Sequence, residues 1–163
     1  MPFRRTLLAG AATGLATAAL PLVAQEQDPV AVATAYVAAF SAHDAARATS
    51  LLAPDAVYLD VTIGEPQVGR DTIRSTVIDP YLKAVPDLHW EMRGAPIATG
   101  GRVAFEWRIS GTNSGVWPED VPASGHAFSL DGVSVMDVRD GLITSITDYY
   151  DGLSFQSQLG WVE

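Results

Sequence analysis

The residues most able to do chemistry in this chain are acids set in apolar company. Asp148 closes the run Ile143-Thr144-Ser145-Ile146-Thr147-Asp148, where another valine or isoleucine would suit a strand better. It has the strand parity of Leu142, Ile146 and Tyr150, so if those face a core the carboxyl faces it too. Removing an unpaired carboxylate from water is costly, and the usual relief is a raised pKa. That in turn suits a group that takes and returns protons near neutral pH. The plainer alternative is a strand-end acid that caps a helix at Gly152 or pairs with an arginine. Asp60, after Val57-Tyr58-Leu59, is a second acid of this kind. Its plainer reading is a strand-terminal acid opening a turn. Lying just before Gly64, it is expected to meet water more readily than Asp148.

The other reactive side chains are sparse. His126 shares parity with Phe128 and Leu130, which places it at a pocket, in a core or on a rim. His43 and His89 read as structural, and three histidines without ligand-type spacing give no metal site. There is no cysteine, hence no thiolate nucleophile and no disulfide. No G-x-S-x-G, Walker or dinucleotide glycine pattern occurs, so hydrolase, nucleotide and nicotinamide chemistry have no support. Trp117 lies in a long loop and is the tryptophan expected over a ligand; Trp90, Trp107 and Trp161 read as core and rim.

The elements that must position these residues follow from pattern. Asp28-Pro29 starts a helix that carries Val32, Tyr36 and Phe40 on one stripe. Asp44 caps a second helix, residues 45–53, stopped by Pro54, and residues 56–63 form a strand. A third helix, residues 68–86, should break or kink near Pro80. After Asp87 the pattern is sheet: Val103, Phe105, Trp107 and Ile109 alternate with Ala104, Glu106 and Arg108. Turns are expected at Thr99-Gly100-Gly101 and Arg139-Asp140-Gly141, and residues 113–125 form a loop long enough to serve a pocket mouth. Helices first and antiparallel strands afterwards make an α+β architecture, a curved antiparallel sheet wrapped by three helices, with a short C-terminal helix.

The 163 residues suffice for one domain, and 48% apolar with 18% charged residues indicates a globular chain. Arg4-Arg5 followed by a mildly apolar stretch from Thr6 to Ala24 reads as an export signal. RRTLL resembles the twin-arginine type, so residues 1–24 are expected to be removed and the protein to be periplasmic or secreted. The whole chain has ten basic and nineteen acidic residues; without Arg4 and Arg5 the balance is eight to nineteen, a net charge of −11. Lys83 is the only lysine, and such a chain is a poor partner for nucleic acid. No membrane association is expected after signal removal.

Over residues 29–161 the order helix, helix, strand, helix and long meander resembles the nuclear transport factor 2-like superfamily, a cone with an internal pocket. RDGLITSITDYYDGLSFQSQLG, residues 139–160, is similar to the end of SnoaL-like polyketide cyclases, which carry an aspartate seven residues after a turn glycine and a helix ending in Gln-Leu-Gly. Gly141, Asp148 and Gln158-Leu159-Gly160 match that pattern, so the resemblance implies that Asp148 is the catalytic acid/base of a domain spanning residues 25–163. The family's pocket histidine aligns with Ser134. YVAAFSAHD (residues 36–44) and DVTIGEPQVG (residues 60–69) resemble bacterial ketosteroid isomerases, which puts the oxyanion tyrosine on Tyr36 and the base on Asp60. Ser134 also stands where those enzymes have their second oxyanion donor.

These readings converge on a cofactor-free enzyme that moves a proton next to a carbonyl of a small apolar molecule, by isomerisation or aldol-type cyclisation. Asp148 or Asp60 is the base, Tyr36 and Ser134 are the oxyanion donors, and His126, Trp117, Phe128 and Tyr150 line the substrate pocket. A second reading is a non-catalytic module that binds a small ligand in the same fold. A third is a collapsed pocket whose sheet serves only to form a homodimer.

Overall fold

A computed structural model describes residues 28–162; the expected export signal lies outside them. Helix α1 (Pro29–Ser41) begins as its sequence dictates, with Asp28 accepting a hydrogen bond from the Val30 amide at 3.0 Å. Its buried face carries Val32, Tyr36, Val37 and Phe40. Asp44 caps α2 (Ala45–Ser50) by accepting from the Arg47 amide at 2.8 Å.

Helix α2 is shorter than expected. The chain turns at Leu51 and strand β1 runs Leu52–Asp60 straight through Pro54. Pro54 is tolerated because the pairing of β1 with its neighbour is irregular between Leu52 and Val57, where a missing N–H breaks no ladder. β1 also ends at Asp60 rather than continuing to residue 63, because Ile63 and Gly64 both donate backbone bonds to the Asp60 carbonyl and close a turn.

After the short strand β2 (Gln67–Val68) the third helix is broken as expected, but by widening rather than kinking. Helix α3 (Arg70–Ile73) passes through a π-helical segment (Arg74–Ile78) into α4 (Asp79–Ala84). Pro80 has no N–H for the preceding turn, and a wider turn accommodates the loss.

Four long strands follow: β3 (His89–Thr99), β4 (Arg102–Thr112), β5 (Ala127–Arg139) and β6 (Leu142–Tyr150). Helix α5 (Gly152–Gln158) closes the chain, capped by Asp151 at the Ser154 amide. The β5–β6 hairpin turns at Asp140-Gly141, both with positive φ (52° and 76°), as the sequence pattern requires.

The sheet has six strands in the order β2-β1-β6-β5-β4-β3. It is mixed rather than purely antiparallel: β1 returns beside β6 and runs parallel to it. This one departure sets β1 beside β6, and Asp60 lies in register with Asp148. The concave face and the helices share one core, which includes Tyr36, Phe40, Trp90, Phe105, Trp107, Met136 and Ile146. Among the described residues no helix is long and apolar enough to cross a membrane.

Candidate functional site

Strand period places the two acids. On β1, Ala56, Tyr58 and Asp60 are buried alternately; on β6, Ile146 and Asp148 are buried while Tyr149 is exposed. The parity expected for β6 holds from Ile146 onward but not back to Leu142. A register shift opposite Asp137–Val138 lets Ile143 take the core position instead and leaves Leu142 half-buried.

Both carboxyls line one cavity, with a water-accessible volume of about 50 Å³. Seven of its twelve lining residues are aromatic: Tyr36, Phe40, Tyr58, Tyr81, Trp90, Trp107 and Tyr150.

Asp148 is held from two sides. Tyr58 Oη donates to its Oδ2 at 2.9 Å and Ser134 Oγ donates to its Oδ1 at 2.5 Å. Ser134 in turn accepts from Trp107 Nε1 at 2.8 Å, so the serine hydrogen is committed to the carboxylate. Trp107 reaches it because Gly132 lies beneath the indole: a Cβ there would come within 2.3 Å of the ring. Burial pushes the Asp148 pKa up to about 6, against the pull of the Ser134 and Tyr58 hydrogen bonds and with a further push from the charge of Asp60.

Asp60 is held differently. Tyr150 Oη donates to its Oδ2 at 2.6 Å, and Thr62 donates to Oδ1 through both its amide (2.8 Å) and its hydroxyl (2.7 Å). The expectation that Asp60 meets water more readily is corrected. It is 3% exposed against 6% for Asp148, because the turn at Thr62 folds over it.

Tyr36 is 1% exposed on the cavity wall, and its hydroxyl has no partner among the described residues. Burial, and then the nearby charge of Asp148, hold its pKa well above the ordinary tyrosine value, so it remains a donor at any physiological pH. Tyr58, Tyr81 and Tyr150 are likewise pushed up, chiefly by burial.

The structure thus brings together Asp148, Asp60, Tyr36 and Tyr150 on the cavity, with Ser134 directly behind Asp148. Ser134 is fully buried and is not available as an oxyanion donor, because its one hydrogen already lies on Asp148. Three expected pocket residues do not line the cavity. His126 is exposed, one residue before β5 begins, and packs against Gly160. Phe128 is buried against Phe155 at 5.1 Å, behind the cavity wall. Trp117 stands one layer out: its ring meets Tyr81 edge-on at 4.9 Å and its Nε1 donates to Asn113 Oδ1 at 2.9 Å. It backs a cavity residue rather than covering a ligand. Sequence reasoning missed Tyr58, Tyr81 and Trp90. Tyr58 was within reach, since it shares the face of Asp60 two residues on.

Geometry and topology define a ketosteroid isomerase-like, nuclear transport factor 2-like cone. The chain belongs to the SnoaL-like domain family, whose profile matches residues 33–146. Among solved structures it is similar to wild-type IdmH from Streptomyces antibioticus, a candidate polyketide cyclase: 27% identity, TM-score 0.68, covering 82% of this chain and 99% of that one. A candidate polyketide cyclase from Xanthomonas campestris pv. campestris is similar at 26% identity and TM-score 0.68, covering 80% and 96%. A ketosteroid isomerase-like protein from Catenulispora acidiphila, solved with trimethylamine, has 24% identity and TM-score 0.67, covering 80% and 93%, and shares the fold. No curated protein matches the sequence.

Proposed function

We propose that this protein is a cofactor-free enzyme that transfers a proton beside a carbonyl, with Asp148 as the base. The observation that carries the reading is a buried carboxyl with a pKa pushed up to about 6, in a cavity that also holds the unpartnered hydroxyl of Tyr36. A base poised near the working pH is the efficient one. Family membership supports a cyclase- or isomerase-type activity on a small molecule.

In this scheme Asp148 takes the proton from the carbon next to the carbonyl. The C–H electron pair becomes the new C=C bond, and the carbonyl π pair moves onto oxygen. Tyr36 donates a hydrogen bond to that oxygen as its charge develops. The enolate oxygen's pair then re-forms the carbonyl. The carbon end either takes the proton back from Asp148 at a different, conjugated carbon, which is isomerisation, or attacks a second carbonyl, which closes a ring. In the ring closure the second carbonyl's π pair moves onto its oxygen, which takes the proton from Asp148. Ser134 and Tyr58 are positioning residues that hold the carboxylate, and Trp107 fixes the serine. Burial keeps the Asp148 pKa high, and Asp60 adds to it through its charge. The lining suits an apolar substrate, since its remaining side chains are Val77, Ile109 and Leu130.

The test is deuterium uptake at the α-carbon of small cyclic ketones in D2O, followed by NMR. Uptake catalysed by the wild type and lost in Asp148→Asn supports the proposal. Binding of these ketones without uptake would favour the second reading, a ligand-binding module, which the same aromatic cavity also supports.

Export completes the proposal. Arg4-Arg5 and the run from Thr6 to Ala24 support removal of residues 1–24 and a periplasmic or secreted location. Mass spectrometry of protein from its host should find a mature chain starting near Gln25; an intact chain as the sole species would refute export.

A further inference from the structure

Four indole N–H groups are available in this chain, and three of them have an evident environment. Trp107 donates to Ser134, Trp117 donates to Asn113, and Trp161 is 40% exposed. Trp90 is 7% exposed, lines the cavity, and its Nε1 has no hydrogen-bond partner. Among the described residues, Tyr36 Oη and Trp90 Nε1 are the buried side-chain polar atoms left without a partner. A buried donor is normally satisfied. Two orphans in neighbouring side chains, their rings edge-on at 6.0 Å, on the wall of the cavity that holds the base, share one remedy. That remedy is an acceptor supplied from outside the chain.

We infer that Trp90 is a second donor to the substrate oxygen, beside Tyr36, and that the ligand is an uncharged carbonyl compound with its oxygen held by both. This rests on the proton-transfer reading and names the group that takes the donor role Ser134 was expected to play. The charge pattern rules out one ligand class. None of the cavity's lining residues is lysine, arginine or histidine, while two are aspartates, so a carboxylate- or phosphate-bearing ligand meets repulsion without compensation. A neutral ketone meets none. When its proton passes to Asp148, the negative charge leaves the carboxylate and appears on the oxygen between the two donors. The total charge of the buried site is unchanged throughout. A phenol has the same planar oxygen and is the natural probe of such a site.

The experiment uses full-length protein with 15N-labelled indoles, whose four Nε1–H cross-peaks are resolved in a proton–nitrogen correlation spectrum. Trp90→Phe identifies the Trp90 peak; should that variant fail to fold, Phe variants of Trp107, Trp117 and Trp161 identify it by elimination. The wild type is titrated with 4-methylphenol, which stays neutral, and, separately, with 1,4-dimethylbenzene, which has a similar shape and no oxygen. The Trp90 peak should move downfield with the phenol and not with the hydrocarbon. Trp90→Phe should weaken phenol binding about tenfold or more and change hydrocarbon binding by less than about twofold. If the phenol binds and the Trp90 peak stays put, the N–H is spent on an aromatic face, Phe40 being edge-on at 5.4 Å, and the inference fails while the proton-transfer reading stands. If the phenol does not bind at all, both fall.

Discussion

Asp60 and Asp148 lie side by side on parallel strands, equally hidden from water, and the protein treats them differently. Asp60 sits at the end of its strand, where the turn supplies a backbone amide and a threonine hydroxyl besides the Tyr150 hydroxyl, three donors in all. Asp148 sits within a ladder whose backbone groups are already paired, and receives only two side-chain donors, Tyr58 and Ser134. The difference lies in how many donors remain to hold the charge once water is gone. Burial raises the Asp148 pKa towards neutrality against the pull of its two donors, and the charge of Asp60 pushes it further.

The largest expected effect tests that asymmetry directly. Asp148→Asn should lower α-carbon deuterium uptake by about 10²- to 10⁴-fold, the usual contribution of a positioned general base. Asp60→Asn should lower it much less. Equal losses would erase the distinction between the two acids.

Stability should report the same difference. The folded-state pKa of Asp148 is raised above its unfolded value, so its contribution is fully present below about pH 4 and lost as pH rises through about 6. Relative to wild type, Asp148→Asn should gain on the order of 3 kcal/mol between those limits and pH 8. Urea unfolding of both proteins across that range measures it, and parallel curves would contradict the raised pKa.

Tyr36→Phe removes the hydroxyl donor and should cost about a hundredfold in the same exchange assay, with the pH profile unchanged in position. The smallest effects are shifts of the acidic limb of that profile. Asp60→Asn removes a negative neighbour and should move the limb to lower pH, whereas Ser134→Ala removes a stabilising donor and should move it to higher pH. Movement of both to lower pH would contradict the role given to the Ser134 hydrogen bond, and movement of both to higher pH the role given to the Asp60 charge.

Much of this architecture was legible in the sequence, for reasons tied to particular residues. Asp28-Pro29, Asp44 and Asp140-Gly141 are local devices whose partners lie within a few positions, so they read correctly without any knowledge of the fold. The inward set Val103, Phe105 and Trp107 is fixed by strand period, and all three are buried. The two acids and Tyr36 were likewise visible, as polar residues on apolar faces. What failed was non-local. The parallel return of β1 beside β6 pairs residues about ninety positions apart, and no pattern in either strand announces it. The Ser134 hydrogen could not be assigned without knowing that Trp107 occupies the serine's lone pair and Asp148 takes its proton. His126, Phe128 and Trp117 were placed by parity or loop length, which give the face of a strand but not its depth along the cavity. Trp90 was read as core because its apolar ring gives no sign that its N–H lacks a partner.

The central claim is that Asp148 changes protonation near neutral pH because it is buried with too few donors. Its side-chain carboxyl carbon, labelled with 13C and assigned with Asp148→Asn, can be titrated by NMR in the folded protein. An inflection near 6 is the predicted result. An inflection at about 4, the ordinary aspartate value, would contradict the account.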